Sequence, residues 1–335
     1  MVNVALTGCG NWGRNLIRNF LEIEKANLEI CYDKDTRVLE QIKSNYPEVK
    51  VTADYEKVLS NGQVDAVVIA SSASSHYDLA RKALKAGKHI LVEKPLTLSL
   101  RQGEEIVSLA EKMKCKLMAG HILLYHPAVG EMKRRLLQND LGEIFHLSSE
   151  RLGSGRVRTV ENVLWCLGVH DIYLALYLLD SKPYRIMAKG ASYLQREKAI
   201  EDVVSLFLDF PGGIIFQILV SWLHPVKIQR MTIVGDKKMM VFDDTQPKDK
   251  LVIYNKRLIK NNNHTPEDFL IEDKGEERPL LGPAEPLRLE CLHFLQCIEK
   301  NQDPLSSGQD ILEVLRVLEA AQKSLKSGVA VSLCD

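Results

Sequence analysis

The sequence lacks any Cys-x-x-Cys pair, and its seven cysteines are odd in number and scattered. Such usage argues for reduced thiols in a cytosolic enzyme and against a disulfide framework or a structural zinc site. Because the sequence shows no set of ligands at metal-site spacing, we predict that the protein holds no metal. The seven are Cys9, Cys31, Cys115, Cys166, Cys291, Cys297 and Cys334.

An excess of charge of one sign is also lacking. Lys and Arg together number 44, Asp and Glu together number 44, and no long block of like charge occurs. Proteins that bind nucleic acids or anionic membranes usually carry a basic footprint. We therefore expect neither nucleic acid nor membrane as a partner.

Long hydrophobic runs are missing as well. The longest uncharged stretch, residues 210–226, contains Pro211, Gly212 and Gly213, which suit neighbouring strands better than a lipid-spanning helix. The first residues enter a predicted strand without a basic region and a cleavable apolar segment. We expect a soluble, cytoplasmic protein.

What the sequence does contain, in its first 24 residues, is the order strand, glycine turn, helix. Gly8, Gly10 and Gly13 lie between a predicted buried strand, residues 2–7, and a predicted helix, residues 14–24. Gly8 permits the tight turn, Gly10 lets the backbone approach phosphates, and Gly13 lets helix and strand pack closely. The helix N-terminus adds N–H groups for a pyrophosphate, so the pattern predicts a dinucleotide site.

An acidic residue stands where such a site needs one. A second predicted strand, residues 28–32, ends at Asp33, twenty residues after Gly13. A carboxylate at this spacing can bind the adenosine ribose hydroxyls and repels the 2′-phosphate of NADP. We therefore predict NAD as the cofactor in preference to NADP, although the neighbouring Lys34 weakens that preference.

Alternating strands and helices continue to residue 120. At 335 residues and 45% apolar content, the chain can bury two cores. The alternation predicts a doubly wound parallel sheet, so residues 1–120 are interpreted as an NAD-binding Rossmann domain. The further predicted strands are 49–52, 64–70, 89–92 and 116–119, and the helices are 34–44, 75–86 and 100–113, the last with a capping box at Ser99 and Gln102.

Strands then follow one another without helices between them, which is typical of a large open, mostly antiparallel sheet. Residues 121–335 are interpreted as a C-terminal α/β domain for substrate binding and oligomerisation. Its predicted strands begin at 143 and continue at 184–193, 203–210, 213–222, 228–235, 238–242 and 251–254. Its predicted helices are 127–138, 165–179, 285–300 and 308–327, with a surface loop at 261–283 and a capping box at Ser307 and Asp310.

One strand of that sheet is apolar on both faces. Residues 214, 216, 218 and 220 are apolar, and the alternate set still includes Ile215 and Leu219. A face with such residues is too apolar to stay wholly in water. We expect it to pair with a second copy, giving a homodimer or homotetramer.

The predicted fifth strand ends in Glu93-Lys94-Pro95. Ligands of open parallel sheets bind at the carboxyl ends of the strands, so Lys94 would project towards the same crevice as the glycine loop. On composition alone Lys94 would be a solvated loop lysine. Pro95 favours the functional interpretation because it fixes the backbone beside Lys94.

The glycine loop, Asp33, Glu93-Lys94-Pro95 and a later His170-Asp171 together resemble the glucose-fructose oxidoreductase/inositol dehydrogenase/MocA family. The likeness runs through almost the whole chain. Four further segments, residues 12–16, 125–128, 155–158 and 162–165, look like the branch that acts at C3 of nucleotide-linked sugars.

The resemblance implies roles for particular residues. Lys94 and His170 would be the catalytic pair, accepting a proton from the sugar hydroxyl as general base or returning it as general acid. Glu93 would bind the nicotinamide ribose, while Ser71 and Ser72 would line the groove. His76 shows no partner pattern of its own. The implied cofactor-binding residues are Gly8, Gly10, Asn11, Trp12, Gly13, Asp33, Ser71, Ser72, His76, Glu93, Lys94 and His121.

One position departs from the family pattern. The family usually has an acidic residue four positions before the catalytic histidine, and this sequence has Cys166. Three alternatives follow: Asp171 compensates, Lys94 transfers the proton alone, or turnover has been lost. We expect retained activity because the other residues are in place. A Cys166–His170 metal pair lacks further ligands, and a buried structural cysteine is the plain alternative.

On the substrate side, Arg151, Arg156 and Arg158 lie in one short stretch near the segment expected to form the crevice. Their guanidinium groups suit the diphosphate or carboxylate of a nucleotide sugar. Arg151 could instead lie in an exposed basic turn, and Tyr125 and Trp165 could belong to the core. His146, His224 and His293 are interpreted as structural. The implied substrate-binding residues are Tyr125, Arg156, Arg158, Asn162, Trp165, Cys166 and His170.

The sequence thus predicts an NAD-dependent oxidoreductase that transfers hydride at a sugar hydroxyl or ketone, most specifically C3 of a nucleotide-linked sugar. Two alternatives stay open. One is an inositol or free-sugar dehydrogenase, and the other is a protein that senses NAD without turnover.

Overall fold

The computed structural model describes residues 1–155, 157–260 and 269–333. The chain divides into two compact units. The first unit contains Met1–Tyr125 and Ala284–Arg316, and the second contains His126–Pro283 and Val317–Asp335. The predicted domains, 1–120 and 121–335, are each continuous in sequence. They therefore differ from these units, because Ala284–Arg316 belongs to the first unit.

The secondary structure of the described residues alternates in the first unit and is rich in strands in the second. The strands are β1 Val2–Thr7, β2 Ala26–Tyr32, β3 Lys50–Thr52, β4 Ala66–Ile69, β5 His89–Glu93, β6 Leu117–Gly120, β7 Ile144–Leu152, β8 Arg185–Ala191, β9 Val203–Asp209, β10 Ile215–Ser221, β11 Ile228–Gly235, β12 Met239–Asp243, β13 Leu251–Lys260, β14 Phe269–Glu277 and β15 Val331–Ser332. The helices are α1 Asn11–Glu22, α2 Thr36–Asn45, α3 Tyr55–Leu59, α4 Ala73–Lys85, α5 Leu100–Lys112, α6 Pro127–Leu137, α7 Val169–Leu179, α8 Pro286–Glu299 and α9 Gly308–Ser327.

The sheet of the first unit has the strand order β3-β2-β1-β4-β5-β6, and every neighbouring pair is parallel. All four residues of β4 are buried, as expected for a strand covered on both faces. The order reverses between β1 and β4, where parallel sheets open a crevice for ligands. This topology confirms the predicted Rossmann sheet.

Helix α8 completes the core of the first unit. Its residues Leu287, Cys291, Phe294 and Leu295 join the apolar cluster built around β1, β2 and α1. Helix α9 continues the packing, because Leu312 and Leu315 lie against Gly103 of α5.

The sheet of the second unit has the order β14-β13-β12-β11-β7-β10-β9-β8-β15 within the described residues. Only the β7–β10 pair is parallel among its described strand pairs. This confirms the predicted mostly antiparallel sheet. In β10, Phe216, Ile218 and Val220 are buried, whereas Ile215 is 48% exposed, which fixes the register that the sequence left open.

Helix α3, strand β14 and the two-residue strand β15 were not predicted. Helix α3 has only five residues and owes its start to Asp54, whose side chain accepts a hydrogen bond from Glu56 N. Strand β14 lies where a surface loop was predicted at 261–283, and β13 extends beyond its predicted end to pair with it. Most residues of β14 are polar, and cross-strand ion pairs such as Arg257–Glu272 support the hairpin.

The predicted capping boxes differ in how far they form. The Ser99 side chain accepts a hydrogen bond from Gln102 N, at 3.2 Å. At α9 both halves are present: Asp310 N donates to Ser307 Oγ, and Ser307 N donates to the Asp310 carboxylate.

Among the described residues, no helix combines the length and the apolar character that crossing a membrane requires.

Candidate functional site

The glycine loop between β1 and α1 has the shape that a dinucleotide needs. A side chain at Gly13 would overlap the carbonyl oxygen of Gly8, so helix and loop can approach this closely only with glycine there. A side chain at Gly10 would meet no atom within 4 Å, so the backbone borders open space at this point. The loop therefore fits a pyrophosphate approaching Gly10.

The helices that follow β1 and β4 differ in their capping from those that follow β2, β3 and β5. The side chains of Asp35, Asp54 and Ser99 accept N-terminal N–H groups of α2, α3 and α5. By contrast, α1 and α4, which are preceded by Gly10 and Ser72, have no side-chain cap. These two helices follow β1 and β4, so uncapped N–H groups lie on both sides of the strand-order reversal and favour an anion there.

Asp33, which follows β2, is held in place by the backbone. Its Oδ2 accepts a hydrogen bond from Cys9 N at 2.8 Å, and its Oδ1 accepts one from Asp35 N at 2.9 Å. The first bond ties the carboxylate directly to the glycine loop. This geometry fits the predicted role of Asp33 at the adenosine ribose.

Glu93, at the end of β5, lies between the glycine loop and the next strand. The indole Nε1 of Trp12 donates to Glu93 Oε1. On the other side, a side chain at Gly120 would come within 3.1 Å of the Glu93 carboxyl group. Gly120 thus leaves the room that Glu93 needs. Sequence reasoning missed this role, although a glycine ending the strand beside Glu93 was a visible signal.

Lys94 begins the loop after β5 and is half-buried, with a cis peptide bond to Pro95. Burial raises the pKa of Glu93, while the Trp12 hydrogen bond and the Lys94 ammonium act in the opposite direction. Burial and the Lys94 charge together lower the pKa of His121 to about 3. His121 is therefore a neutral imidazole near neutral pH, and the positive charge at this edge resides on Lys94.

His76 supports the groove from inside the unit. It is buried, and its ring nitrogens lie 2.8 Å from the carbonyl oxygen of Pro95 and 3.2 Å from that of Ser71. The ring thereby connects the loop after β4 with the loop after β5, a structural role. Ser71 is half-buried with its hydroxyl 2.8 Å from that of Ser75, and Ser72 is exposed at the start of α4.

In the second unit, His170 and Cys166 lie on either side of a change in helix type. Residues Leu164–Gly168 form a π-helical turn, and α7 begins at Val169. Such wide turns often occur at functional sites. Cys166 and His170 are both half-buried, but they are not stacked on one regular α-helix as their spacing predicted.

Arg151 is not an exposed basic residue. It is buried on β7, and its Nε and Nη2 donate to the two carboxylate oxygens of Asp171 at 2.9 and 3.1 Å. Arg151 is thus engaged inside the unit, which differs from the exposed basic turn that was the alternative for it. The same pairing engages Asp171 and argues against its compensating for Cys166.

We expect Arg151→Met to destabilise the protein by about 3–5 kcal/mol, because it leaves the Asp171 carboxylate buried and unpaired. Urea unfolding followed by circular dichroism measures this loss. The double variant Arg151→Met/Asp171→Leu should recover most of it. If the double variant were no more stable than the single one, an unpaired charge would not explain the loss.

The remaining predicted substrate residues differ in their surroundings. Asn162 is buried and donates to Glu201 and Gln322, at 2.6 and 2.9 Å. Trp165 is buried, as its core alternative requires, and the half-buried Tyr125 ring lies 5.6 Å from that of His293. Arg158 is half-buried, 3.6 Å from Glu161. The predicted Arg156 lies outside the described residues.

No cluster of three or more His, Cys, Asp or Glu side chains suited to a metal ion occurs in the described part of the chain.

Comparison with known proteins agrees with the geometry of the first unit. A sequence profile described as "Oxidoreductase family, NAD-binding Rossmann fold" matches residues 2–121. A second profile, described as "GFO/IDH/MocA C-terminal domain", matches residues 129–241. The two matches together extend over most of the chain.

Individual relatives are distant. UDP-N-acetylglucosamine 3-dehydrogenase of Acidithiobacillus ferrooxidans is 30% identical over 172 residues, which cover 51% of this chain and 53% of that protein. The scyllo-inositol 2-dehydrogenase (NAD(+)) of Bacillus subtilis is 24% identical over 353 residues, which cover 99% of this chain and 96% of that protein. Among solved structures, GenD2 from gentamicin A biosynthesis in complex with NAD has a TM-score of 0.84 at 22% identity, covering 100% of this chain and 97% of that chain.

The likeness to GenD2 is one of fold, whereas the two profiles carry the family assignment. The uncapped helices, the close contact at Gly13 and the anchored Asp33 are the features that an NAD-binding Rossmann unit requires. The chain therefore belongs to the glucose-fructose oxidoreductase/inositol dehydrogenase/MocA family and is an NAD-binding oxidoreductase.

Proposed function

We propose that the protein transfers hydride between NAD and a sugar, at C3 of a nucleotide-linked sugar. The observation that carries this proposal is the arrangement at the end of β5, where the charge of Lys94 acts on both Glu93 and His121 beside the glycine loop. Sugar chemistry is suggested by relatives that include a UDP-N-acetylglucosamine 3-dehydrogenase.

In this proposal the first unit holds the cofactor along its carboxyl edge. The loop at Gly10 and the start of α1 bind the pyrophosphate, Asp33 the adenosine ribose, and Glu93 the nicotinamide ribose. NAD supplies the hydride acceptor when it is bound. The protein supplies orientation and proton transfer.

Proton transfer is assigned to Lys94, with His170 of the second unit as its predicted partner. Oxidation of a secondary alcohol leaves a proton on oxygen, and a positioned amine or imidazole accepts it. His121 suits this role poorly in either direction, because burial and the charge of Lys94 lower its pKa to about 3, which leaves it unprotonated near neutral pH and a weak base. Charged Lys94 donates the proton when a ketone is reduced, and its neutral form accepts the proton when an alcohol is oxidised. Lys94 is therefore the group in the first unit best suited to the task.

A panel of sugars tests this function. UDP- and TDP-linked hexoses, the free sugars and inositols would each be incubated with NAD, and NADH formation would be followed by absorbance. We expect turnover with at least one nucleotide-linked sugar and little with its free sugar. Turnover confined to inositols or free sugars would contradict the nucleotide-sugar assignment.

One observation favours the free-sugar alternative. A diphosphate needs arginines that are available to it, and Arg151 and Arg158 both lie near carboxylates of the second unit, those of Asp171 and Glu161. The inositol dehydrogenase relative aligns over nearly the whole chain. A polyol substrate with no phosphate would be consistent with both observations.

An NAD sensor without turnover is the remaining alternative. It follows from Cys166, which replaces the usual acidic residue, and from the engagement of Asp171 by Arg151. Stoichiometric NAD binding with no reduction in the presence of the whole panel would favour it.

We expect tighter binding of NAD than of NADP, by about 5-fold to several hundred-fold. Two like charges about 4 Å apart repel by roughly 1 kcal/mol in water and about 4 kcal/mol near a protein surface, and each 1.4 kcal/mol is tenfold. Fluorescence titration with the two reduced cofactors measures the ratio. Tighter NADPH binding would contradict the assignment of Asp33 to the adenosine ribose.

Two variants separate charge from structure at this position. Asp33→Asn should bring the affinities for NAD and NADP closer together, because it removes the negative charge. The matched variant Lys34→Ala, which removes an exposed cation next to Asp33, should move them slightly further apart. Equal ratios in the two variants would show that charge at this position does not select the cofactor.

We also propose that the outer face of the second sheet joins two copies of the chain. Met187, Phe207 and Ile215 lie on adjacent strands and are 49%, 40% and 48% exposed. Met187 pairs directly with Phe207 across β8 and β9. An apolar surface of this kind is typical of a subunit interface.

Placing Lys at Ile215 and Leu219 should convert the oligomer to monomers or aggregates, because burying these charges opposes association. Sedimentation velocity at micromolar concentration measures the state. Leu137→Lys, which changes an exposed residue of α6 instead, is the matched control. A monomeric wild type would contradict the proposed interface, and no variant would then be needed.

A reducing, cytoplasmic location is part of the same proposal. It is supported by the cysteines of the described residues, which are all free thiols.

A further inference from the structure

Glu290 on α8 is a buried acid with no assigned role. The residue is 1% exposed, and within the described residues neither of its carboxyl oxygens has a hydrogen-bond partner. Burying a polar group without a partner costs free energy, and native proteins contain few such groups. Its presence in the NAD-binding unit therefore calls for a reason.

The neighbourhood of Glu290 gives it no counter-ion. Helix α8 packs against β1, α1 and the turn Ile122–Tyr125. Of the cations on α1 and α8, Arg18 pairs with Glu285 and Arg288 pairs with Glu22, while Arg14 donates to the side-chain oxygen of Gln41. None of the ion pairs found among residues 1–155, 157–260 and 269–333 includes Glu290.

A second carboxyl lies nearby: Glu93 borders Gly120, and α8 packs against the turn Ile122–Tyr125 that follows Gly120 in the chain. Burial raises the pKa of Glu290 well above its ordinary value, and the negative charge of Glu93 raises it further. The pKa of Glu93 is raised by burial too, but Trp12 and Lys94 stabilise its charged form. The proton of the pair therefore resides on Glu290 and the charge on Glu93.

Each of the other titratable groups near this pair either keeps one protonation state or can have its contribution tested by a separate substitution. His121 is neutral because its pKa lies at about 3, burial keeps the Cys291 thiol protonated, and burial also lowers the pKa of His293. Lys94, whose charge acts on Glu93 and on His121, is the group near the pair that a separate substitution tests. The titratable residues of α1, of the turn Ile122–Tyr125 and of α8 itself are Arg14, Arg18, Glu22, Tyr125, Arg288, Cys291, His293, Cys297 and Glu299, with Glu285 at the start of α8.

We propose that Glu290 and Glu93 form a two-carboxyl site holding a single proton, and that the positively charged nicotinamide of oxidised NAD displaces this proton to solvent. The ring of NADH carries no such charge and leaves the proton in place. Because the nicotinamide end is placed at Glu93 by the proposed function, this inference rests on that function.

The sign of the effect follows from charge. Below the pKa of Glu290 the pair carries one negative charge, and above it two. The oxidised nicotinamide binds better to the doubly charged pair, so the affinity for NAD⁺ relative to NADH rises with pH, by at most about tenfold per pH unit. Oxidised cofactor and deprotonated Glu290 therefore favour each other.

Calorimetric titration in two buffers of different ionisation enthalpy counts the protons released. For the wild type we expect NAD⁺ to release up to about one proton more than NADH or ADP-ribose, which lacks the nicotinamide. Glu290→Gln, which mimics the protonated acid, should abolish the difference. Glu285→Gln on the same helix is the matched control and should retain it.

Two further variants identify the source of the proton. If the release persists in Glu290→Gln and disappears in Lys94→Met, the proton belongs to Lys94 and the inference is overturned. Unchanged affinity for NAD⁺ and NADH in Glu93→Gln would instead overturn the placement of the nicotinamide at Glu93. The two failures are thus distinguishable.

Infrared difference spectroscopy of the wild type provides a test that needs no variant. Addition of NAD⁺ should remove the carbonyl band of a protonated carboxylic acid, and addition of ADP-ribose should not. An unchanged band after saturation with NAD⁺ would overturn the inference even if Glu290→Gln does not fold.

Discussion

Lys94→Ala should lower turnover by about two to four orders of magnitude while NADH binding stays within a few fold of wild type. Lys94 lies at the carboxyl end of β5, beside Glu93, and its charge acts on both Glu93 and His121. Removing it takes away the proton-transfer group but leaves the glycine loop and Asp33 intact. The loss should therefore appear in kcat.

Steady-state kinetics with the active sugar and fluorescence titration with NADH measure the two quantities separately. Lys85→Ala, at an exposed position of α4 in the same unit, is the matched control and should behave as wild type. Turnover of Lys94→Ala within a few fold of wild type would show that the proton moves by another route.

The second large effect concerns two glycines of one loop, whose substitution by alanine should impair the protein in different ways. Gly10→Ala places its methyl group in open space, and the backbone there, with φ of −67°, accepts alanine. The apoprotein should keep its thermal stability. Binding of NAD should weaken by about 100-fold, or roughly 2.7 kcal/mol, because the methyl group occupies the approach of the pyrophosphate.

Gly13→Ala should lose stability as well as binding. Its methyl group would overlap the Gly8 carbonyl oxygen, which is backbone and cannot rotate away. Overpacking of this kind costs about 1–3 kcal/mol or more. Thermal unfolding of both apoproteins and NADH titration compare the two variants. Wild-type affinity in Gly10→Ala would show that the pyrophosphate does not approach this position.

The local features of the first unit were predictable because they depend on neighbours in sequence. The turn at Gly8, the start of α1 and the position of Asp33 after β2 follow from short-range pattern and spacing. The placement of Glu93 and Lys94 at the same edge follows from the rule that parallel strands end together. The roles of Lys94 and His170 stay predictions.

What could not be predicted depends on contacts between distant residues. Arg151 and Asp171 are twenty positions apart, and nothing local indicates that their side chains meet across β7 and α7. The π-helical turn before α7 leaves no signal in the apolar periodicity. Strand β14 is stabilised by its partner β13, since its own residues are mostly exposed and polar.

The participation of α8 in the first unit has a consequence for the order in which the protein matures during synthesis. Leu287, Cys291 and Phe294 belong to the same core as Val4, Leu16 and their neighbours. A ribosome that has released only residues 1–125 has produced every strand of the parallel sheet but has left the surface that α8 covers open to water. The NAD-binding half of this enzyme, although translated first, is finished only when residues near 316 have emerged, after most of the other half has already been made.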